Sequence, residues 1–289
     1  MVNRVKNFKA SPANRHKKYN DDKSWLKTFT QWLSENKWTI AIVGAVAILA
    51  PLLIMALFNK PIADDFAFFS EAQSDNPIAT AARFYLDENG RAGHGFFTAT
   101  LYGLFGERAV VVGAIVLLIG LALSLIWLAR TILVKILGDK TPWPKAIALG
   151  LWSTAVVILS SRSLYDSYLW LTSGTVYITG IIGSVIIAIL AINLFLSNRL
   201  RWWHLVGFGV VIIINSYFNE ITDVYLVGTF IFALIVYGLV KKFNICELKT
   251  KNRKNISVLV VGLIVSTVAF LMLYLSPGSN ERRSLMNSS

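Results

Sequence analysis

The run Ala109–Leu128, AVVVGAIVLLIGLALSLIWL, contains no charged residue. A helix needs roughly 20 predominantly apolar residues to cross the hydrocarbon core of a bilayer, and this run has that length. Its apolar residues form a block. An amphipathic helix on a soluble domain would alternate its faces.

The same pattern recurs along the chain. Of 289 residues, 55% are hydrophobic and 15% charged, far from the balance of a soluble domain. Seven apolar segments are read: Trp38 to Phe58, Ala109 to Leu128, Ala146 to Ser160, Thr175 to Leu196, His204 to Phe218, Ile221 to Val240 and Ile256 to Leu275. The expected fold is all-α, a polytopic membrane protein of about seven transmembrane helices. The third and fifth segments are short, and Trp143 and Trp202-Trp203 are placed to anchor them at the interface. Only Asn219 and Glu220 separate the fifth from the sixth, so a hairpin dipping into the membrane is an open alternative.

Basic residues orient the chain. Stretches 1–37, 130–145, 197–203 and 241–255 hold 21 of the 28 Lys and Arg. The positive-inside rule then puts the N-terminus in the cytoplasm and the C-terminus outside a multi-pass cell membrane protein. The net charge of +12 has a topological origin, and no nucleic-acid partner is needed to explain it. Three parts follow: a basic arm (1–37), whose Lys17-Lys18 suits anionic inner-leaflet lipid, a helical membrane domain (38–275), and an outer tail (276–289). The first apolar run is too long, and too far from the start, for a cleavable signal peptide. The one cysteine, Cys246, falls in an inner loop and excludes an internal disulfide.

The outer face collects the unusual residues. Its first loop, 59–108, is too long for a plain connector. Asn76-Pro77 reads as a cap with proline in the first turn, which predicts a helix from there. A second helix, His94 to Phe105, is expected to lie in the membrane interface, with His94 an interfacial residue. The loop opens with Asp64-Asp65. Two adjacent like charges at a bilayer surface suit a site that binds a cation or takes a proton from an attacking hydroxyl. They also suit the start of a helix after Pro61, as cap and dipole partners. Arg91 follows Asn89-Gly90. Arg162, Tyr165, Asp166 and Trp170 lie between the third and fourth segments, Glu220 between the fifth and sixth, and Arg282-Arg283 after the seventh. Each has a plainer reading: a solvated or snorkelling arginine, a belt aromatic, a turn carboxylate. Short spans ending at Arg162 and Glu220 would recess both in a cavity.

Taken in order, Asp64-Asp65, Asn89-Gly90-Arg91, Trp170 with Ser173-Gly174, Asn219-Glu220 and Pro277-Gly278 with a following Arg resemble a bacterial group of multipass proteins. That group is similar to the GT-C-type integral membrane glycosyltransferases and to glucosyltransferases of surface polysaccharide. The resemblance covers about residues 38 to 283. It implies a sugar donor carried on a polyprenyl phosphate or diphosphate, an extracytoplasmic acceptor, and Asp64 or Asp65 as base or as ligand of a divalent cation. Arg91, Arg162, Arg282 and Arg283 would meet the phosphate, Tyr165 and Trp170 would stack on sugar or prenyl chain, and Glu220 would belong to the substrate site. Such enzymes usually have more than seven spans, so the chain reads as a minimal version or an N-terminal fragment.

No GxxxxGK[ST] loop, HExxH or Cys-x-x-Cys occurs, which argues against an ATP-driven engine and those metal or redox sites. No inner loop has room for a nucleotide-sugar domain. The other classes left open are a transporter or flippase for a lipid-linked or anionic solute, and a non-catalytic envelope scaffold.

Overall fold

A computed structural model describes residues 12–243 and 256–288; Cys246 and the basic stretch 244–255 lie outside them. Every described element is helical. α1 (Pro12–Leu57), α5 (Ala109–Lys135), α6 (Trp143–Leu159), α7 (Leu171–Phe195), α8 (Trp202–Ser216), α9 (Glu220–Phe243) and α10 (Ile256–Tyr274) correspond to the seven apolar segments. Between α1 and α5 stand α2 (Asp64–Ser74), α3 (Pro77–Arg83) and α4 (Ala92–Phe105), and α11 (Pro277–Ser288) follows α10.

The chain is a polytopic all-α membrane protein. Among the described residues five stretches are long and apolar enough to cross a bilayer, and α6 and α8 are shorter. At 1.5 Å per residue α6 and α8 span only about 26 and 23 Å, less than a typical hydrocarbon core of about 30 Å. α1 begins well before Trp38: the polar residues ahead of the apolar run favour the helix, which continues through Pro51 to Leu57.

Three buried clusters organise the bundle. Leu49, Leu52, Leu117, Leu121, Ile158 and Tyr168 join α1, α5, α6 and a π-helical turn, Tyr165–Leu169. Ile187, Phe208, Ile212, Phe230 and Val258 join α7 to α10. Phe68, Phe84, Tyr102, Val110 and Leu171 seat α2 and α4 against α5 and α7. The small residues Gly180 and Gly183 admit Thr222 and Asn215 side chains between helices.

The loop 59–108 folds as helices for local reasons. Asn76 Oδ1 accepts the Ala79 N–H at 2.9 Å and Pro77 supplies the first helical φ, so α3 starts where the cap predicts. A π-helical turn, Phe84–Glu88, closes it. α4 begins within two residues of the expected start and buries one face in the protein. His94, Thr98, Leu101 and Tyr102 are buried, while Phe96, Leu104 and Phe105 are exposed. The C-terminal tail is helical too. Ser279 Oγ donates to the Asn89 carbonyl at 2.9 Å, which docks α11 on the turn after the π-helical segment.

Gly90 makes that docking fit. Its φ is +79°, and a Cβ there would meet Ser276 Oγ at 2.3 Å. Gly90→Ala therefore lowers stability by about 1–2 kcal/mol from backbone strain alone, and further if the serines cannot retreat. Gly103→Ala, where a Cβ meets nothing within 4 Å, is expected to be neutral or stabilising. Thermal unfolding of the two variants in detergent, followed by tryptophan fluorescence, checks the contrast. Orientation has its own check in a Cys246→Ser background. Asp75→Cys should react with a membrane-impermeant maleimide in intact cells, and Lys140→Cys only after permeabilisation; the opposite pattern inverts the orientation read from the basic residues.

Candidate functional site

Asp64 and Asp65 are consecutive helical residues, so their side chains leave α2 about 100° apart. That separation splits the pair. Asp65 is fully buried. Its Oδ1 accepts the Thr172 hydroxyl at 2.7 Å and the Thr172 N–H at 3.2 Å, and its Oδ2 accepts the Ile62 N–H at 3.2 Å. Burial pushes its carboxyl above the usual carboxylate range, against the opposing pull of those hydrogen bonds. Asp65 thus ties the start of α2 to the start of α7. Asp64 is exposed and faces a cavity of about 440 Å³, within the usual size of small-molecule sites.

The turn leading into Asp64 is strained. Ala63 has φ 44° and ψ −119°, a conformation L-residues seldom adopt. Strain of this kind is retained where surrounding structure over-determines it, often beside functional groups. Asn59 helps, since its amide donates to the carbonyls of Leu169 and Val110 and so fixes the end of α1.

The opposite wall is built on Arg91, which immediately precedes α4. Its Nε donates to Glu220 Oε2 at 2.8 Å and its Nη2 to Oε1 at 2.6 Å, a two-pronged pair across 129 residues. Next door, the Gly93 N–H donates to the Tyr217 carbonyl at 3.0 Å, so the head of α4 sits on the α8–α9 turn. Two acidic lining residues, Glu71 and Glu88, are both paired with Arg83. Burial pushes the Glu88 carboxyl up, partly offset by the Arg83 charge.

Asp64, Arg91, Trp170 and Arg282 therefore line one cavity. They come from α2, the head of α4, the head of α7 and α11. Glu220 stands behind Arg91 as its partner. The other candidates lie elsewhere. Asp65 is behind the wall. Arg162 and Tyr165 are exposed and line no part of the cavity, and among the described residues Arg162 has no ion pair with Asp166. The expected recess at Arg162 is absent because α6 ends in the turn 160–164, which points that arginine outward. Arg283 lies over the Tyr274 ring, 4.0 Å from its centroid, and bonds Asn280.

Thr172 and Tyr177 line the cavity although the sequence pattern did not single them out, Ser173 entered only with the resemblance, and His94 was expected to be interfacial. His94 is 2% exposed, not interfacial. Its one sequence signal was Thr98 a helical turn away, a spacing shared by many unrelated pairs.

No group of three His, Cys, Asp or Glu side chains among the described residues is arranged to hold a metal ion. Asp65 has both oxygens committed, so the pair does not form a joint cation site. Asp64 alone is left to meet a divalent cation, and no chemistry below passes through one. The chain matches no family model, no curated protein and no solved structure. The reading of the cavity rests on its geometry.

Asp65 makes a pH prediction with a definite sign. The folded carboxyl keeps its proton to higher pH than the unfolded one, so the folded state binds more protons between the two values. Stability is full below the ordinary carboxylate range, declines as pH rises to the folded value, then levels off. Asp65→Asn should flatten that decline. Asp65→Ala, which strands the Ile62 and Thr172 donors, should cost about 1–3 kcal/mol at every pH. Unfolding midpoints measured across acid and neutral pH test both.

Proposed function

We propose that the cavity is the active site of a membrane glycosyltransferase that moves a sugar from a polyprenyl-phosphate or -diphosphate carrier to an acceptor hydroxyl outside the cytoplasmic membrane. The observation that carries this reading is the convergence of Asp64, Arg91, Trp170 and Arg282, spread over 218 residues, on one cavity at the ends of the apolar helices. A carboxylate, two guanidiniums and an indole match the needs of the reaction. A lipid-borne donor approaches such a cavity from the bilayer.

In the proposed step the acceptor oxygen attacks the anomeric carbon and gives its proton to Asp64, a carboxylate free of the hydrogen bonds that occupy Asp65. The bond from the anomeric carbon to the phosphate oxygen breaks, and its electron pair leaves with the phosphate. Arg282 meets that developing charge. Arg91 uses two of its five N–H donors on Glu220 and keeps three, so the same pair that builds the wall can also face the phosphate. Trp170 offers a ring face to sugar or prenyl chain. One displacement with one base inverts the anomeric centre.

One observation favours a second reading, transport of a lipid-linked or anionic solute. Asp223, in α9, is fully buried, with Ser216 Oγ at 2.7 Å from its Oδ1 and, among the described residues, no partner for Oδ2. An ionisable side chain inside a membrane bundle is a functional candidate by default.

Transfer of radiolabelled sugar from polyprenyl-phosphate donors in membranes separates the two. Asp64→Asn should lower transfer by about 10²–10⁴-fold at equal expression, the usual worth of a positioned base, and Arg162→Ala should leave it unchanged. Transfer indifferent to Asp64→Asn removes the proposed base. Absent transfer, with solute uptake that Asp223→Asn abolishes, replaces the enzyme by a transporter.

A further inference from the structure

The floor of the cavity holds a histidine with one ring nitrogen set against two threonine hydroxyls. His94 Nδ1 lies 2.8 Å from Thr175 Oγ1 and 3.3 Å from Thr98 Oγ1. Thr175 Oγ1 also lies 2.9 Å from the Thr172 carbonyl, which can only accept. A hydroxyl has one hydrogen; in the arrangement that gives it to the carbonyl, the hydrogen in the short contact with Nδ1 belongs to the imidazole. Thr98 Oγ1, 3.2 Å from Thr175 Oγ1, can then spend its own hydrogen on that oxygen. In that arrangement His94 is the Nδ1–H tautomer, and its Nε2 presents a lone pair.

Two phenylalanines pack against the ring. Phe68 and Phe84 meet it edge-on, with centroids at 5.2 and 5.6 Å and interplanar angles of 80° and 77°. Gly95 lets Phe84 press this close, since a Cβ there would come within 2.9 Å of the phenyl ring. With Nδ1 held by the threonines and two sides walled by phenylalanines, Nε2 is the nitrogen left for the cavity that His94 lines.

Two other lining groups complement it. Trp170 Nε1 is a buried donor with no partner among the described residues. Ser173 adds a hydroxyl, which both donates and accepts. A buried acceptor, a buried donor, a hydroxyl and aromatic faces form a neutral part of the lining, beside the charged residues Asp64, Arg91 and Arg282 and the Arg83-paired Glu71 and Glu88.

We propose that this floor is a sugar subsite in which His94 Nε2 accepts a hydrogen bond from a ring hydroxyl of the ligand and so sets which hydroxyl pattern is taken. The ligand class is a neutral hexose or N-acetylhexosamine. The proposal deepens the transferase reading, since it rests on the cavity being a ligand site. His94 acts here as a specificity residue, while the proton of the reaction belongs to Asp64. Thr175 and Thr98 are positioning residues that hold the tautomer.

The test uses full-length protein in nanodiscs, labelled with ¹⁵N-histidine, which reports only His16, His94 and His204. The probes are the methyl glycosides of glucose, galactose, mannose and N-acetylglucosamine. Nitrogen shifts should report the Nδ1–H tautomer for His94, and at least one glycoside should move its Nε2 resonance. His94→Gln, which retains an acceptor, should bind that glycoside better than His94→Phe. The latter keeps the ring shape and should weaken binding about tenfold, the worth of one good hydrogen bond. Thr175→Val should release the tautomer, a change that a purely structural threonine would not produce. An Nε2–H tautomer, or an Nε2 resonance unmoved by all four glycosides at their highest soluble concentration, overturns the proposal. Glycoside binding that moves Nε2 without any transfer activity leaves the subsite standing and removes the transferase. Transfer whose KM is the same in His94→Phe as in wild type does the reverse.

Discussion

The Asp65 carboxylate, bonded to the Thr172 hydroxyl and backbone and to the Ile62 N–H, is the constraint on which the geometry of the cavity depends. It closes a turn that contains the strained Ala63 and joins the first helix of the loop to the head of α7, 107 residues later. Burying a carboxylate is expensive unless its oxygens find donors, and here three donors supply the compensation. With Asp65 held, Asp64 has one place to go, because the next helical position turns by a fixed angle. The buried acid positions the exposed one.

A second long-range pair completes the enclosure. Arg91 and Glu220 join the head of α4 to the head of α9 through two parallel hydrogen bonds, a geometry that specifies orientation as well as distance. α11 then covers the turn between the π-helical segment and α4, which brings Arg282 to the rim. Gly278 permits this approach, since a Cβ there would lie 2.8 Å from the Glu88 nitrogen. The cavity is thus walled by elements whose contacts run between distant parts of the chain. Its floor is neutral and its rim charged.

Much of the helical framework was legible in the residues. Charge-free blocks of about twenty residues have no stable alternative to a buried helix in a bilayer, because every backbone polar group must find its partner within the segment. Asn76-Pro77 was readable for a similar reason: capping is settled by atoms three residues apart. The early start of α1 was less legible, since helix propensity in polar residues is a weak signal. The helix α2 was foreseen only in the plainer reading of Asp64-Asp65 as a helix start, and α11 was not foreseen, because it is held by contacts from far along the chain.

Of the site, residue types could be named but their company could not. Asp64-Asp65 looked like one functional pair; a 100° rotation made them a cavity-facing acid and a structural one. Arg162 and Arg282 had the same standing in the sequence, yet only Arg282 reaches the cavity. His94 drew little attention because a single histidine among apolar residues carries no spacing that marks it. The sequence alone determined that this is a multi-span helical membrane protein, because hydrophobic length and helical capping are local. Only the tertiary structure decided which polar groups share a cavity, because hydrogen bonds such as Asp65 to Thr172 and Arg91 to Glu220 join residues more than a hundred positions apart.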